Sequence, residues 1–318
     1  MNNLTNVLHI KYPIIQGGMG NISNAALTAA ISEAGALGTI GVGTMGVKEV
    51  EGIIVETKKR TRKPFALNIP ISITPHLKEM IRLVVTHGLP VVSLSAGNPA
   101  PFIPYFHEHN VKVICVVASK KQGKKAEYAG ADVIVAEGYE AAGINSNLET
   151  TTLALIPQLV DTVDIPVVAA GGIGDGRGLA SMLALGASGV QMGTRFIATQ
   201  EAPFHENYKT TLVEAKDDST VIVGRSVGKV RRIMKTPYAA QLIQKEQEGV
   251  AFEEFSQMTS EDYHRVGALE GKMDQGFING GQVSGLVSDV PTVKELVERM
   301  MNDAQGIFSK LSGSGVES

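Results

Sequence analysis

Tryptophan is absent, cysteine occurs once and aromatic residues make up only 5% of the 318 residues. A single thiol, Cys115, rules out a disulfide framework. Cys115 lies inside the apolar run 112–118 and reads as a buried, inert thiol rather than a nucleophile. So few aromatics leave no stacking platform for single-stranded nucleic acid. The net charge is −3 and no long basic block occurs, so binding through phosphate neutralisation is not expected either. No run reaches the roughly 18 apolar residues that suggest a membrane span, and the start of the chain lacks the apolar core of a signal peptide. A cytoplasmic protein is the expectation. His9, His76, His87, His107, His109, His205 and His264 never stand at a metal-ligand spacing beside other ligands, so no catalytic metal is expected.

What is present is apolar and regular. Hydrophobic residues make up 43% and charged residues 19%, enough for one large barrel or two smaller domains with a real core. Eight short runs rich in Val, Ile and Ala recur at 13–18, 37–42, 65–71, 91–97, 112–118, 132–138, 166–172 and 189–196. They do not alternate polar with apolar, as expected of parallel strands covered on both faces. Amphipathic segments separate them at 24–34, 47–61, 76–87, 101–109, 120–129, 150–163 and 178–185. Asn24 and Asp175 stand where helix N-caps belong, and Gly35, Gly88, Gly130 and Gly186 where a left-handed C-terminal turn is needed. This alternation predicts an α/β fold, a (β/α)8 TIM barrel, built from residues 1–205 and 281–318.

Residues 206–280 carry more charge and no clear strand rhythm. They predict a smaller helical insertion on the substrate side of the barrel, with 241–258 as one helix. A final helix over 292–308 returns to the barrel wall, and the tail 312–318 is expected to fray.

Glycines mark the candidate site. Gly171 and Gly172 follow the seventh run, and Gly193 and Thr194 follow the core of the eighth. Loops after strands seven and eight are where such barrels grip phosphate. Bare backbone N–H groups can converge there without Cβ atoms in the way, a helix starting beyond adds its positive end, and Thr194 adds a hydroxyl. The alternative is a pair of ordinary tight turns. Gln16-Gly17-Gly18-Met19-Gly20 would let a flat ligand lie on backbone beside a soft Met19 contact, or it is a turn with Met19 in the core. Asn68 places an amide inside a buried strand, where it needs partners from a ligand or from the protein. Glu137 and Glu140 crowd the loop after the sixth run, where a carboxylate can bind hydroxyls or tune a proton, although paired loop carboxylates are usually solvated. Asn145, Ser146 and Asn147 follow with neutral hydrogen-bonding groups. Gly41-Val-Gly-Thr-Met-Gly46 matches a dinucleotide fingerprint, but the next strand ends in Asn68 instead of the acid a ribose requires. Arg225, Arg231 and Lys235 are candidate contacts for an anionic or phosphopantetheine-bearing substrate, against the commoner reading of a solvated charged face.

Together, Tyr12-Pro-Ile-Ile-Gln-Gly-Gly-Met19, Pro64-Phe-Ala-Leu-Asn68, Ala96-Gly-Asn-Pro99, Ala136-Glu-Gly-Tyr-Glu140, Ala169-Ala-Gly-Gly-Ile173, Gln191-Met-Gly-Thr-Arg-Phe196 and Gly281-Gln282 resemble the nitronate monooxygenase (2-nitropropane dioxygenase-like) family, which includes flavin-dependent enoyl-acyl-carrier-protein reductases. The resemblance runs in order along nearly the whole chain. It implies an FMN-dependent oxidoreductase whose barrel holds the phosphate at Gly171, Gly172, Gly193 and Thr194. It places Gly18 and Met19 at the isoalloxazine, with Asn68, Glu137 and Gly143 nearby. Three activities are implied: nitronate oxidation, enoyl-acyl-carrier-protein reduction and NAD(P)H:quinone reduction, with NAD(P)H as a co-substrate of the last two. The partner is then a small molecule or an acyl-thioester, and a homodimer stays open. Many members carry a histidine where this chain has Ile144, and the adjacent Asn145 cannot serve as a general base near neutral pH. The catalytic residue is therefore left unassigned. A nitronate is already an anion and needs no base, so nitronate oxidation is the leading expectation. A phosphate-binding barrel without redox function is the rival from another class.

Overall fold

The structure, a computed structural model, describes residues 4–313. Eleven strands are present among them: β1 (Ile14–Gln16), β2 (Gly38–Gly41), β3 (Phe65–Pro70), β4 (Val91–Ser95), β5 (Lys112–Val117), β6 (Val133–Glu137), β7 (Gly143–Ile144), β8 (Val167–Ala170), β9 (Gly189–Met192), β10 (Thr220–Val223) and β11 (Arg231–Met234). All eight runs anticipated from the sequence are the barrel strands. They pair in parallel in the order β1-β9-β8-β6-β5-β4-β3-β2. The ring closes where Gln16 N–H donates to the Leu37 carbonyl at 2.8 Å and Leu37 N–H to that of Ile14 at 2.9 Å. The result is a TIM barrel.

Two apolar layers hold it. Inside the ring, Ile15, Leu37, Ala66, Val91, Ile114, Val133, Val135, Val168 and Ala170 form one cluster. The short helix Leu4–Leu8 adds Leu4 and Leu8 to it. Leu4 packs beside Gly189 and Pro13 at the strands' N-terminal ends, so this helix plugs the floor. Outside, the crossover helices bury their apolar stripes against the other faces of the same strands. Burial on both faces is why the strands read as unbroken apolar runs. Asn24 caps its helix by accepting from Leu27 N–H, and Asp175 accepts from Arg177 and Gly178. Gly35, Gly88, Gly130 and Gly186 all take positive φ at helix ends.

The segment 206–280 departs from a purely helical insertion. β10 and β11 form an antiparallel hairpin, and β7, from the loop after β6, adds to its edge. Against this sheet pack the helices Pro237–Gln247 and Phe252–Met258, which Gly249 at φ 86° breaks apart where one helix was expected. Val223, Ile233, Tyr238, Leu242, Phe255 and Phe277 give the segment its own small core. The helix Glu206–Val213 and the helix Glu261–Glu270 complete it. The final helix runs Val293–Gly313, longer than expected; the part of the tail beyond it lies outside the described residues. No described helix is long and apolar enough to cross a membrane.

Candidate active site

A cavity of about 1570 Å³ opens between the C-terminal ends of the barrel strands and the segment 206–280. Gly18, Met19, Asn68, Glu137, Gly143, Ile144, Asn145, Gly171, Gly172, Gly193 and Thr194 all line it. The residues selected from sequence are thus brought to one place.

The glycine turns meet on one side. Gly171 and Gly172 take φ 101° and 74°, which only glycine adopts at little cost. The backbone N–H groups of Gly171, Gly172 and Gly193 find no protein acceptor among the described residues. A Cβ built on Gly193 would meet nothing within 4 Å, so the turn leaves an open notch. Thr194 closes it: its Oγ1 accepts from Gly281 N–H at 3.0 Å, which leaves its own hydroxyl hydrogen uncommitted. Beyond Gly172, Asp175 occupies the N-terminus of the helix Gly176–Ala184, whereas the four-residue helix Thr194–Ile197 begins directly after Gly193 with no side-chain cap. The free donors come from the turns themselves, and they suit a phosphate.

Asn68 and Gly18 face each other across the floor. Asn68 Nδ2 donates to the Ser93 carbonyl at 3.3 Å and lies 3.2 Å from the hydroxyls of Ser93 and Ser95. The carbonyl requires a donor, which fixes the amide's orientation and turns Oδ1 toward Gly18. A Cβ on Gly18 would lie 2.3 Å from that oxygen. Gly18→Ala should therefore cost about 1–3 kcal/mol in thermal unfolding. Adding Asn68→Ala should restore part of the loss, because the crowding amide is gone. Strict additivity in that double-mutant cycle would show the two residues to be uncoupled.

The two loop carboxylates have separate duties. Glu140 accepts from Thr152 N–H at 2.8 Å and from its hydroxyl at 2.9 Å, so it anchors the start of the helix Thr152–Val160. Glu137 stays in the cavity wall, where burial pushes its carboxyl up to about 7. Asn145 is spent on the loop, its amide donating to the carbonyls of Ala141 and Gly143 at 2.9 and 3.2 Å. The dinucleotide-like glycines also have a packing reason. A Cβ on Gly41 would strike the Gly20 nitrogen at 2.7 Å, and one on Gly43 the Asn21 Oδ1 at 2.2 Å. They let the loop after β2 lie against the loop after β1.

A second polar group faces the cavity from the segment 206–280, and the sequence reading missed most of it. Arg231, Glu261, His264 and Asn279 line the same space. His264 Nε2 lies 3.2 Å from Asn279 Nδ2, its Nδ1 lies 3.6 Å from Glu261 Oε2, and its ring stacks on Phe277. Glu261 also accepts from Asn21 N–H at 3.3 Å, tying this segment to the β1 loop. His264 and Arg231 hold its carboxyl down at about 2 against the opposing effect of burial. Of the three candidate surface cations, Arg225 and Lys235 are exposed and paired with Glu149 and Asp218. Arg231 is instead buried, which overturns its reading as a solvated charge. The available signal was Glu261-x-x-His264, a spacing that puts both on one helix face. Among the described residues no cluster of His, Cys, Asp and Glu is placed to hold a metal.

Comparison with known proteins agrees with this architecture. A family profile described as nitronate monooxygenase matches residues 1–79 and 71–303. A (3aS,4S,5R,7aS)-5-hydroxy-7a-methyl-1-oxo-octahydro-1H-indene-4-carboxyl-CoA dehydrogenase of Rhodococcus jostii is 32% identical over 95% of both chains. A probable nitronate monooxygenase of Staphylococcus saprophyticus is 30% identical over 96% of this chain and 98% of its own. The structure of FabK from Thermotoga maritima superposes with a TM-score of 0.94 at 37% identity, covering 99% of each chain. The chain belongs to the nitronate monooxygenase family of flavin oxidoreductases.

Proposed function

We propose that this oxidoreductase binds FMN and oxidises nitronates. The observation that carries the reading is the set of unengaged backbone donors at Gly171, Gly172 and Gly193 around an open notch. These donors and the Thr194 hydroxyl hold the terminal phosphate, which at neutral pH needs several donors and no Cβ. Gly18 and Met19 flank the ring system, Asn68 Oδ1 and Gly143 supply its polar edge contacts, and Glu137 accepts from the ribityl hydroxyls. Bound flavin supplies the two-electron redox chemistry; the protein supplies binding, orientation and exclusion of water. Residues 1–205 and 281–318 form the flavin-binding part, and 206–280 the substrate-side cover. No protein base is needed for a substrate that arrives as an anion. That agrees with Ile144 at the family's usual histidine position and with an Asn145 amide spent on its own loop. We take the enzyme to be cytoplasmic.

A second reading is NAD(P)H-dependent reduction of an enoyl-thioester or a quinone. The 37% identity to FabK and a cavity of about 1570 Å³, roomy for a small nitronate, favour it. Anaerobic bleaching decides between the two. The purified protein is expected to be yellow, to release FMN on heating, and to bleach with a nitronate in the absence of nicotinamide. Bleaching by NADH or NADPH alone, with colour restored by an enoyl-thioester or quinone, supports the second reading. A colourless protein that takes up no flavin overturns both.

A further inference from the structure

Arg231 is a largely buried charged side chain that lines the cavity and has no hydrogen-bond partner in the protein. It is 8% exposed, and among the described residues none of its guanidinium donors meets an acceptor within hydrogen-bonding distance. A guanidinium offers five N–H donors, and leaving a buried charge so poorly served is costly. Burial lowers its pKa, with Glu261 opposing that shift. Glu261 offsets some of the charge through space, but its own bonds go to Asn21 N–H and toward His264. The donors of Arg231 are left for something else.

The surroundings fix how that group is presented. The guanidinium carbon sits 4.9 Å from the centroid of the Phe277 ring, whose other neighbour is the stacked imidazole of His264. In the sheet register Arg231 stands opposite Ile144, and Arg232 opposite Gly143. Arg232 is engaged by the protein, donating to the Tyr139 carbonyl at 3.1 Å and to the Thr220 hydroxyl at 3.1 Å. Two adjacent arginines thus have different duties: one fastens the hairpin to the mouth loop, and the other reaches the cavity. Two of the three buried side-chain polar atoms that lack a hydrogen-bond partner, His264 Nδ1 and Asn279 Oδ1, belong to the same group. Unmet polar capacity is concentrated at this spot.

We propose that Arg231 is the receptor for a planar two-oxygen monoanion, a nitronate or a carboxylate, at the substrate end of the cavity. The fork of a guanidinium matches two coplanar oxygens with two parallel hydrogen bonds, which a point charge cannot do. Glu261, His264 and Asn279 act on it as positioning residues: they fix Phe277's stacking partner and the local field. Describing the ligand as substrate rests on the function proposed above; the anion site itself does not.

Anaerobic calorimetric titration of the intact protein tests this: isobutyrate and isobutyramide cannot turn over, and the nitronate is limited to a single reduction of the flavin. The probes are the nitronate of 2-nitropropane, its near-isostere isobutyrate, and uncharged isobutyramide. The wild-type protein should bind at least one anion and favour it over the amide by about 30-fold. Arg231→Met, which keeps the length of the side chain, should remove that preference and leave amide binding unchanged. Arg231→Lys keeps the charge, and guards against a misfolded methionine variant; it should weaken the anion by about 10-fold, because the fork is lost. Binding of the nitronate but not isobutyrate identifies the nitronate as the source of the anion; the reverse supports the receptor while counting against nitronate chemistry. Equal anion affinity in wild type and both variants, or equal losses for anion and amide, overturns the proposal. A protein that takes up no flavin, yet binds isobutyrate through Arg231, would refute the proposed function and keep the receptor. A yellow protein that binds neither anion does the opposite.

Discussion

Gly193→Leu should leave the barrel folded and strip it of flavin. Gly193 has φ −113°, a backbone conformation open to any residue. A Cβ there meets no atom within 4 Å, so the side chain has room in the ligand-free protein. That room is the proposed phosphate notch. A leucine would fill it and would also shield the free N–H groups on either side. The thermal midpoint of the ligand-free variant should stay within about 1 °C of the wild type, a shift of under about 1 kcal/mol for a chain this long. Flavin affinity should fall by at least about 100-fold, or roughly 2.7 kcal/mol. Gly171 and Gly172 make poorer probes, because their positive φ values would strain any replacement and confound lost folding with lost binding. The measurement is flavin stoichiometry by absorbance, paired with far-ultraviolet circular dichroism. A well-folded Gly193→Leu protein that keeps its full complement of flavin would remove the foundation of the proposed function.

The barrel was legible because its strands are buried on both faces, so each appears as a bare apolar run between helices with recognisable ends. The glycine turns were legible for a related reason: a phosphate notch must exclude side chains, and exclusion shows in sequence. The hairpin of the covering segment was hidden by its charges. Arg231 and Arg232 open β11, and β10 is a lone four-residue apolar run, Thr-Val-Ile-Val, set between the charged stretch 216–218 and Gly224-Arg225, so the pair shows no barrel-like rhythm. The second polar group was hidden by distance along the chain. His264 means little until Asn279, bridged to Ile233 of β11, and Phe277 are folded against it. Judged for metal spacing alone it had no partners; the partners it has are a carboxylate one helical turn away and an amide. Glu137 and Glu140 show the same limit from the other side. Two carboxylates in one loop look equivalent until the helix Thr152–Val160 claims one of them.

That division makes Glu137 the residue through which pH should act on the ligand-free protein. Burial raises its carboxyl from 4.5 to about 7, with no neighbouring charge offsetting the shift. Between those values the folded protein holds a proton that the unfolded chain has released. Stability therefore falls as pH rises through this window, and the loss is complete above about 7. The full shift corresponds to about 3 kcal/mol, and wetting of the carboxyl at the cavity wall reduces this to about 2 kcal/mol. Glu137→Gln imitates the protonated acid and removes the penalty. The variant should match the wild type near pH 4.5 and exceed it by about 2 kcal/mol at pH 8, in ligand-free protein followed by thermal or urea unfolding. Comparing the two proteins at each pH cancels whatever the two share. Bound flavin should reverse the advantage: hydroxyl groups donated to the Glu137 carboxylate would stabilise its charged form and draw the pKa back down. The gap between variant and wild type should then close or change sign in the flavin-loaded proteins at pH 8. A stability difference that is the same at both pH values would mean that the Glu137 carboxyl is not desolvated. A gap unaffected by flavin would place this carboxylate outside the cofactor's reach.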